Sequence, residues 1–324
     1  EHEEDLIVVH YSDQLSSSMS FDAITVTNKS KQYVQVIQQF LEAHDIHPTQ
    51  EEIEETIKAF NVFNGEWLLR AVQNKAYDKR EKMSVLSALK QALRYFTEQA
   101  PDIHWVPISM EEIVRVSNAI HLSKKDGLFS GMTIGHHGNC SDDLLMMGYE
   151  IDEDDEIAVH FYPIEVKIGH NESSVISKGI EQVKALNARL RDVLERDTFE
   201  SRFMRHFFMQ RLITNAKKMH EQQFYGEPMA EEVEYRLLNN DFHMTNTHQH
   251  LFGEGLVLSF KKDQYVEDIT RLKGVVVATY PEQLGYELLT KSMTDIFAMK
   301  EFTYDIPATP REETVISRVE ERAN

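Results

Sequence analysis

The sequence predicts an α/β (α+β) fold, in which a mixed sheet is flanked by helices and accompanied by additional helical and small β elements. Two apolar runs, residues 143–150 and 157–168, have the composition of strands. Residues 81–99 and 171–195 carry apolar side chains at helical spacing. With 324 residues, of which 41% are hydrophobic and 27% charged, the chain is typical of globular proteins with one large or two ordinary domains.

The elements before residue 120 are predicted to be two strands, several helices and a third strand. Residues 5–12 and 21–27 have strand composition and are joined by a Ser-rich loop. Thr49 is positioned to cap a helix, and Ser109 to Glu112 has the capping-box pattern that opens another. The remaining elements in this part are predicted helices at 33–43, 49–60, 65–72 and 81–99, a strand at 104–108, and the helix that runs from the capping box to residue 120.

The two apolar runs are predicted to form a β-hairpin, because the linker between them is short and strongly acidic. Antiparallel pairing about a centre near Asp154 brings Asp143 roughly opposite Glu165. Since side chains alternate between the faces of a strand, Glu165 and Lys167 lie on one face and Val166 points away. Two carboxylates and an ammonium group are therefore expected to converge.

Such a cluster suits phosphodiester hydrolysis. Asp143, Glu165 and the carbonyl of Val166 offer hard oxygen ligands for Mg²⁺ or Mn²⁺, and Mg²⁺ keeps several waters and also binds the substrate phosphate. The ion would polarise the phosphorus and acidify an attacking water. Lys167 would orient that water or offset charge on the phosphate.

Alternatives to this interpretation remain open. Asp142 could replace Asp143 as the ligand, although Asp143 directly precedes Leu144 and Leu145. Glu165 and Lys167 could instead form an ordinary same-face ion pair, worth under about 1 kcal/mol. Pro163 has no N–H for a central strand, so it predicts an edge or a bulge at that point.

An Asp that opens one strand and an E-x-K that closes the next resemble the pattern of the PD-(D/E)XK nucleases. The runs HWVPISMEEIVRVSNAI, KKDGLFS, SDDLL and HFYPIEVKIG are also similar to the C-terminal nuclease region of the DptH family of DNA phosphorothioation-dependent restriction proteins, over roughly residues 60–200. The resemblance implies that Asp143, Glu165 and Lys167 are catalytic. In this fold Glu111 or Glu112, on the helix before the hairpin, could complete the metal site, although a capping box explains Glu112 equally well.

The same resemblance implies partners and an organisation for the chain. An ATPase/helicase region of the same full-length protein and other subunits of a restriction complex would deliver DNA that lacks the phosphorothioate mark. The first residue is Glu rather than Met, which suggests a piece of a longer protein. The expected parts are the end of a preceding ATPase-side domain or N-terminal β/α elements at 1–45, a helical segment at 46–100, a nuclease core at 101–200 and a C-terminal helical and β extension at 201–324.

Several basic or polar residues are candidates for DNA contact. The Gly- and His-rich segment 121–140 carries two adjacent lysines, and residues 200–219 have the densest basic content in the chain. A solvated surface explains these residues equally well or better. For residues 200–219 the alternative is a core helix whose charges face outward. The candidates are Lys124, Lys125, Lys178, Gln182, Arg202, Arg205 and Arg211.

The C-terminal part beyond these segments has a helical pattern at 229–239, strand patterns at 255–260 and 274–279, and a charged tail at 307–324. The net charge of −20 is unfavourable for nucleic-acid binding, so a divalent metal, a local basic patch or a partner would be needed. The single cysteine, Cys140, excludes an internal disulfide and suits a reducing cytoplasm. No apolar stretch approaches the roughly 20 residues that a membrane span needs.

Three classes of function follow. The chain is predicted to be a Mg²⁺-dependent DNA endonuclease domain of a bacterial defence system. Alternatively, it is a catalytically silent nuclease fold that serves assembly or DNA sensing with its ATPase. A purely structural α/β accessory domain is the third possibility.

Overall fold

The computed structural model describes residues 7–13, 21–27, 31–73, 76–110, 113, 144–245 and 247–299. Within these residues the chain forms nine strands and ten helices, numbered below in chain order. The strands are β1 Ile7–Asp13, β2 Phe21–Thr27, β3 His104–Ser109, β4 Leu144–Ile151, β5 Ile157–Gly169, β6 His243–Met244, β7 Leu256–Lys261, β8 Asp268–Leu272 and β9 Val275–Pro281.

The ten helices of the described part occur mainly in two groups, four after β2 and three after β5. Their bounds are α1 Lys31–Glu42, α2 Gln50–Phe63, α3 Gly65–Gln73, α4 Ala76–Gln99, α5 Ser173–Leu194, α6 Phe199–Glu221, α7 Glu231–Leu238, α8 Gln249–Phe252, α9 Glu282–Glu287 and α10 Met293–Ala298. The predicted cap at Thr49 is confirmed, because its Oγ1 accepts a hydrogen bond from the Glu52 N–H at 3.2 Å and its own N–H donates to Glu52 Oε2 at 2.7 Å.

Seven strands form one mixed sheet in the order β3-β4-β5-β7-β9-β8, with the short β6 beside β5. Strands β3, β4 and β5 are antiparallel neighbours, whereas β5, β7 and β9 run parallel and β8 closes the far edge antiparallel. Strands β1 and β2 pair separately. The predicted mixed sheet flanked by helices is therefore confirmed.

The predicted hairpin is present with its predicted centre. Strand β4 pairs with β5 from Leu144 opposite Ile164 to Ile151 opposite Ile157, which is symmetrical about residue 154. The acidic linker forms a tight turn, in which Asp152 Oδ1 accepts hydrogen bonds from the N–H groups of Asp154 and Glu156 at 3.0 and 2.9 Å.

The interpretation of Pro163 as an edge or bulge position is wrong, because β5 is an internal strand with β4 on one side and β7 on the other. On the second side, β6 pairs at Ala158 and Val159, and β7 begins only at Ile164. Pro163 lies in the interval between these two pairings, where a strand can lack an N–H donor without losing a ladder bond.

The two faces of β5 are covered by different helices. Tyr162 lies on one face, with ring centroids of Phe96 in α4 and Phe252 in α8 at 5.6 and 5.0 Å. Glu165 lies on the opposite face, under Gly179 of α5. The sheet therefore separates two environments: an aromatic layer on one side and the helix after the hairpin on the other.

The predicted core face of α4 is buried and contributes to a hydrophobic cluster that runs from α1 to α10. The buried Lys90 of α4 donates hydrogen bonds to the carbonyls of Leu288, Leu289 and Lys291 at 3.1, 2.8 and 2.8 Å. These bonds tie the helical segment to the end of α9. Val175, one of the apolar residues at helical spacing in 171–195, is instead 36% exposed and lies in the first turn of α5.

Among the residues that the structure describes, no helix combines the length and apolar character needed to cross a membrane.

Gly148 of β4 lets Trp105 lie against the strand, because a Cβ added there would come within 2.6 Å of the Trp105 ring and of Ile103 Cγ2. We expect Gly148→Ala to lower the free energy of unfolding by about 2 kcal/mol, through overpacking. Thr270→Ala on the exposed strand β8 is the control and should change it by no more than about 0.5 kcal/mol. Urea unfolding measures both, and equal effects would show that the contact at Gly148 does not constrain the hairpin.

Candidate functional site

Glu165 and Lys167 lie side by side on β5, as the alternation of the strand predicts. Lys167 Nζ donates a hydrogen bond to Glu165 Oε1. The Glu165 side chain is only 6% exposed and the Lys167 side chain 19%. The two groups therefore form an ion pair that is largely removed from water, and the value of under about 1 kcal/mol for an exposed pair does not apply to it.

Helix α5 lies directly over this pair. A Cβ added at Gly179 would sit 3.5 Å from Glu165 Cγ and 3.3 Å from Val257 Cγ1, so a larger residue would crowd the strand. One turn further on, Gln182 Oε1 accepts a hydrogen bond from Lys167 Nζ at 3.4 Å. The small residue brings the helix close, and the amide then helps to orient the ammonium group.

The second carboxylate oxygen of Glu165, Oε2, is buried and has no hydrogen-bond partner in the described part of the chain. A buried polar atom without a partner costs about 1–3 kcal/mol, and more when it carries charge. A hard divalent cation would satisfy such an oxygen. Val166, between the two site residues, packs its side chain against the main core on the other face.

The other predicted ligands fall outside the described residues. These are Asp142, Asp143, Glu111 and Glu112, together with the predicted DNA contacts Lys124 and Lys125. Leu144, the first described residue of β4, directly follows Asp143 in the chain. The approach of Asp143 to Glu165 therefore stays a prediction.

The predicted DNA contacts on the later helices have varied surroundings. Lys178 is exposed on α5. Arg205 donates hydrogen bonds to the carbonyls of Leu194 and Arg196, at 2.7 and 3.1 Å, and so closes the end of that helix. Arg202 approaches Asp197 at 3.7 Å, and the guanidinium carbon of Arg211 lies 5.5 Å from the centroid of the Phe207 ring. A role for these residues in DNA binding stays a prediction.

A second cluster, which the sequence reasoning missed, lies on the opposite face of the hairpin. Glu150 of β4, His160 of β5 and His248 just before α8 each place one possible ligand atom within 4.8 Å of the other two. His160 Nε2 and Glu150 Oε1 are 2.9 Å apart, and the ring centroids of His160 and His248 are 5.0 Å apart.

His160 is fully buried, and its Nδ1 has no partner among the described residues. Burial lowers the pKa of His160 to about 4, although the Glu150 carboxylate opposes this shift. The ring is therefore neutral at pH 7, which is the form of imidazole that binds a metal.

A third group lies at the turn of the hairpin and is more exposed. His243 Nδ1 is 3.6 Å from Glu156 Oε2, and His243 Nε2 is 4.0 Å from Asp152 Oδ2. Asp152 Oδ1 already accepts the two hydrogen bonds of the turn. The carboxylates of this group therefore add negative charge beside the second cluster. One oxygen of Asp152 is already used by the hydrogen bonds that form the turn.

Part of the second cluster could have been found from the sequence. With the hairpin centred near residue 154, Glu150 lies opposite Ala158, and His160 is two residues further along the same face. His248 carried no such signal, because it follows β6 and enters the cluster through tertiary packing.

No family model, no curated protein and no solved structure matches this chain.

Lys167→Met should lower the free energy of unfolding by about 3 kcal/mol, because it leaves the Glu165 carboxylate buried without its counter-charge. The control variant, Lys58→Met, removes an ammonium group from a side chain that is 53% exposed. It should change the free energy of unfolding by no more than about 0.5 kcal/mol. Urea unfolding at neutral pH compares the two variants. A loss for Lys167→Met as small as that of the control would mean that Glu165 has another counter-charge.

Proposed function

We propose that this chain is a metal-dependent deoxyribonuclease domain, in which Glu165 binds Mg²⁺ or Mn²⁺ and Lys167 acts on the substrate phosphate or the attacking water. The observation that carries the proposal is the Glu165 carboxylate: it is buried, one oxygen is paired with Lys167, and the other is unpartnered within the described residues. Asp143 would supply the second carboxylate, as the hairpin pattern predicts.

The chemistry of the proposed site follows from its donors. Carboxylate oxygens and a main-chain carbonyl, that of Val166, are ligands suited to a hard cation, which when bound would polarise the scissile phosphate. Lys167 would lie beside the same phosphate and offset its developing charge. Gln182 supports this role, because its side-chain oxygen already accepts a hydrogen bond from the Lys167 ammonium.

The proposed biological setting rests on the resemblance to the DptH family. There the domain would hydrolyse phosphodiester bonds of DNA that lacks the phosphorothioate mark, as part of a restriction complex in the cytoplasm. An ATPase/helicase region of the same protein and partner subunits would deliver the DNA. This division of labour is compatible with a chain of net charge −20, since affinity for the phosphate backbone would come mainly from elsewhere.

A catalytically silent module for assembly or DNA sensing is the second candidate, and one observation favours it. The Glu165 side chain is only 6% exposed and is in direct contact with Lys167, which describes a structural ion pair as well as a catalytic one. Measurements of metal binding and of DNA cleavage distinguish the nuclease from the silent module.

The test is cleavage of unmodified supercoiled plasmid with Mg²⁺ or Mn²⁺, by the chain alone and in its assembled complex. Asp143→Ala, Glu165→Gln and Lys167→Met should each lower the cleavage rate by about 100-fold or more, because each removes a metal ligand or charge stabilisation of the transition state. Glu51→Gln and Lys58→Met, on the exposed face of α2, are matched controls and should retain the wild-type rate.

Mn²⁺ binding, measured by electron paramagnetic resonance, distinguishes a nuclease from a silent module. Cleavage that persists in all three site variants contradicts the proposal. A wild-type complex that neither cleaves DNA nor binds Mn²⁺ more tightly than Glu165→Gln supports the silent module instead.

A further inference from the structure

We propose that Glu150, His160 and His248 form a Zn²⁺ site on the face of the hairpin opposite to Glu165. The site is independent of the proposed nuclease centre. Because residues of opposite parity on a strand point to opposite faces, His160 and Glu165 of β5 lie on different sides of the sheet.

The separation between two of the three donors is already close to that around a bound ion, and the third donor lies nearby. A tetrahedral Zn²⁺ with bonds of about 2.1 Å holds neighbouring donors about 3.4 Å apart. His160 Nε2 and Glu150 Oε1 are 2.9 Å apart, and all three ligand atoms lie within 4.8 Å of one another.

His160 is the buried donor of the cluster. Its side chain is fully buried, and Nε2 is the ring nitrogen beside Glu150. The other nitrogen, Nδ1, has no partner within the described residues, and an ion held between Nε2 and Glu150 would not reach it, because the two nitrogens of an imidazole point to different sides of the ring. Nε2 is therefore the metal donor in the proposed site, with the ring proton on Nδ1.

The second imidazole is oriented by a neighbour. His248 Nδ1 lies 3.1 Å from Thr247 Oγ1, which leaves Nε2 as the donor for the metal. A hydrogen bond at one ring nitrogen is the usual way in which proteins fix the tautomer and direction of a ligating histidine.

The donor set selects the kind of metal. Two imidazoles and one carboxylate suit Zn²⁺ and related transition ions, whereas Mg²⁺ prefers oxygen ligands alone. Three protein ligands also leave the fourth tetrahedral position of Zn²⁺ for water or another small ligand. The nearby carboxylates of Asp152 and Glu156 favour the approach of a cation.

A bound ion would connect β4, β5 and the segment before α8. Because Zn²⁺ would bind the folded chain and not the same three residues when unfolded, it stabilises the fold by mass action. At a concentration 100 times the Kd, we expect Tm to rise by about 5 °C.

The test uses the full chain freed of metal with EDTA and then titrated with ZnCl₂, by calorimetry and by thermal unfolding. We expect one Zn²⁺ per chain. Glu150→Gln and His248→Ala should weaken binding at least 10-fold and abolish the rise in Tm. His47→Ala, at an exposed histidine outside the cluster, and Glu165→Gln, on the other face, should bind as the wild type does.

His248 is only half-buried, so its alanine variant remains informative if a variant of the buried His160 does not fold. Two results would overturn the proposal: wild-type binding no tighter than that of His248→Ala or of Glu150→Gln, or loss of binding in Glu165→Gln. The last result would place the ion at the nuclease centre. Cleavage lost in Glu165→Gln while Zn²⁺ binding persists would show that the two sites are separate.

Discussion

The antiparallel pairing of β4 with β5 is the interaction on which both candidate sites depend. Its register decides which side chains share a face, since a slip of one residue would exchange the two faces of a strand. With Leu144 opposite Ile164, Glu165 and Lys167 meet α5 on one side of the sheet. Glu150 and His160 meet each other on the other side. The tight turn around Asp152 fixes this register, and the parallel pairing of β5 with β7 places Glu165 opposite Val257.

Burial shapes the chemistry of both candidate sites, and in each of them one polar atom has no partner within the described residues. The desolvation cost of the Glu165 carboxylate is offset on one oxygen by Lys167, while the other oxygen has no partner within the described residues. Burial keeps the His160 ring neutral, and one of its nitrogens is likewise unpartnered there. The first donor set consists of oxygens and suits a hard cation, whereas the second is dominated by imidazole and suits a transition metal.

The sequence predicted those features of the fold that depend on residues close together in the chain. The hairpin centre, the cap at Thr49 and the shared face of Glu165 and Lys167 all follow from turn composition, capping and strand alternation. Strand β8 was missed because all five of its residues are exposed, so the apolar signal of a strand is absent, and it forms by pairing with β9. The contribution of His248 was missed for a related reason, because only tertiary packing brings it to β5.

The central claim is that one hairpin holds two chemically different metal sites on opposite faces. Crystals grown with MnCl₂ and ZnCl₂ test it most directly, by anomalous difference maps measured on each side of the Mn and Zn absorption edges. We expect a Mn²⁺ peak beside Glu165 Oε2 and a Zn²⁺ peak among Glu150, His160 and His248. Both ions on one face of the sheet, or no ion at either carboxylate, would contradict the account.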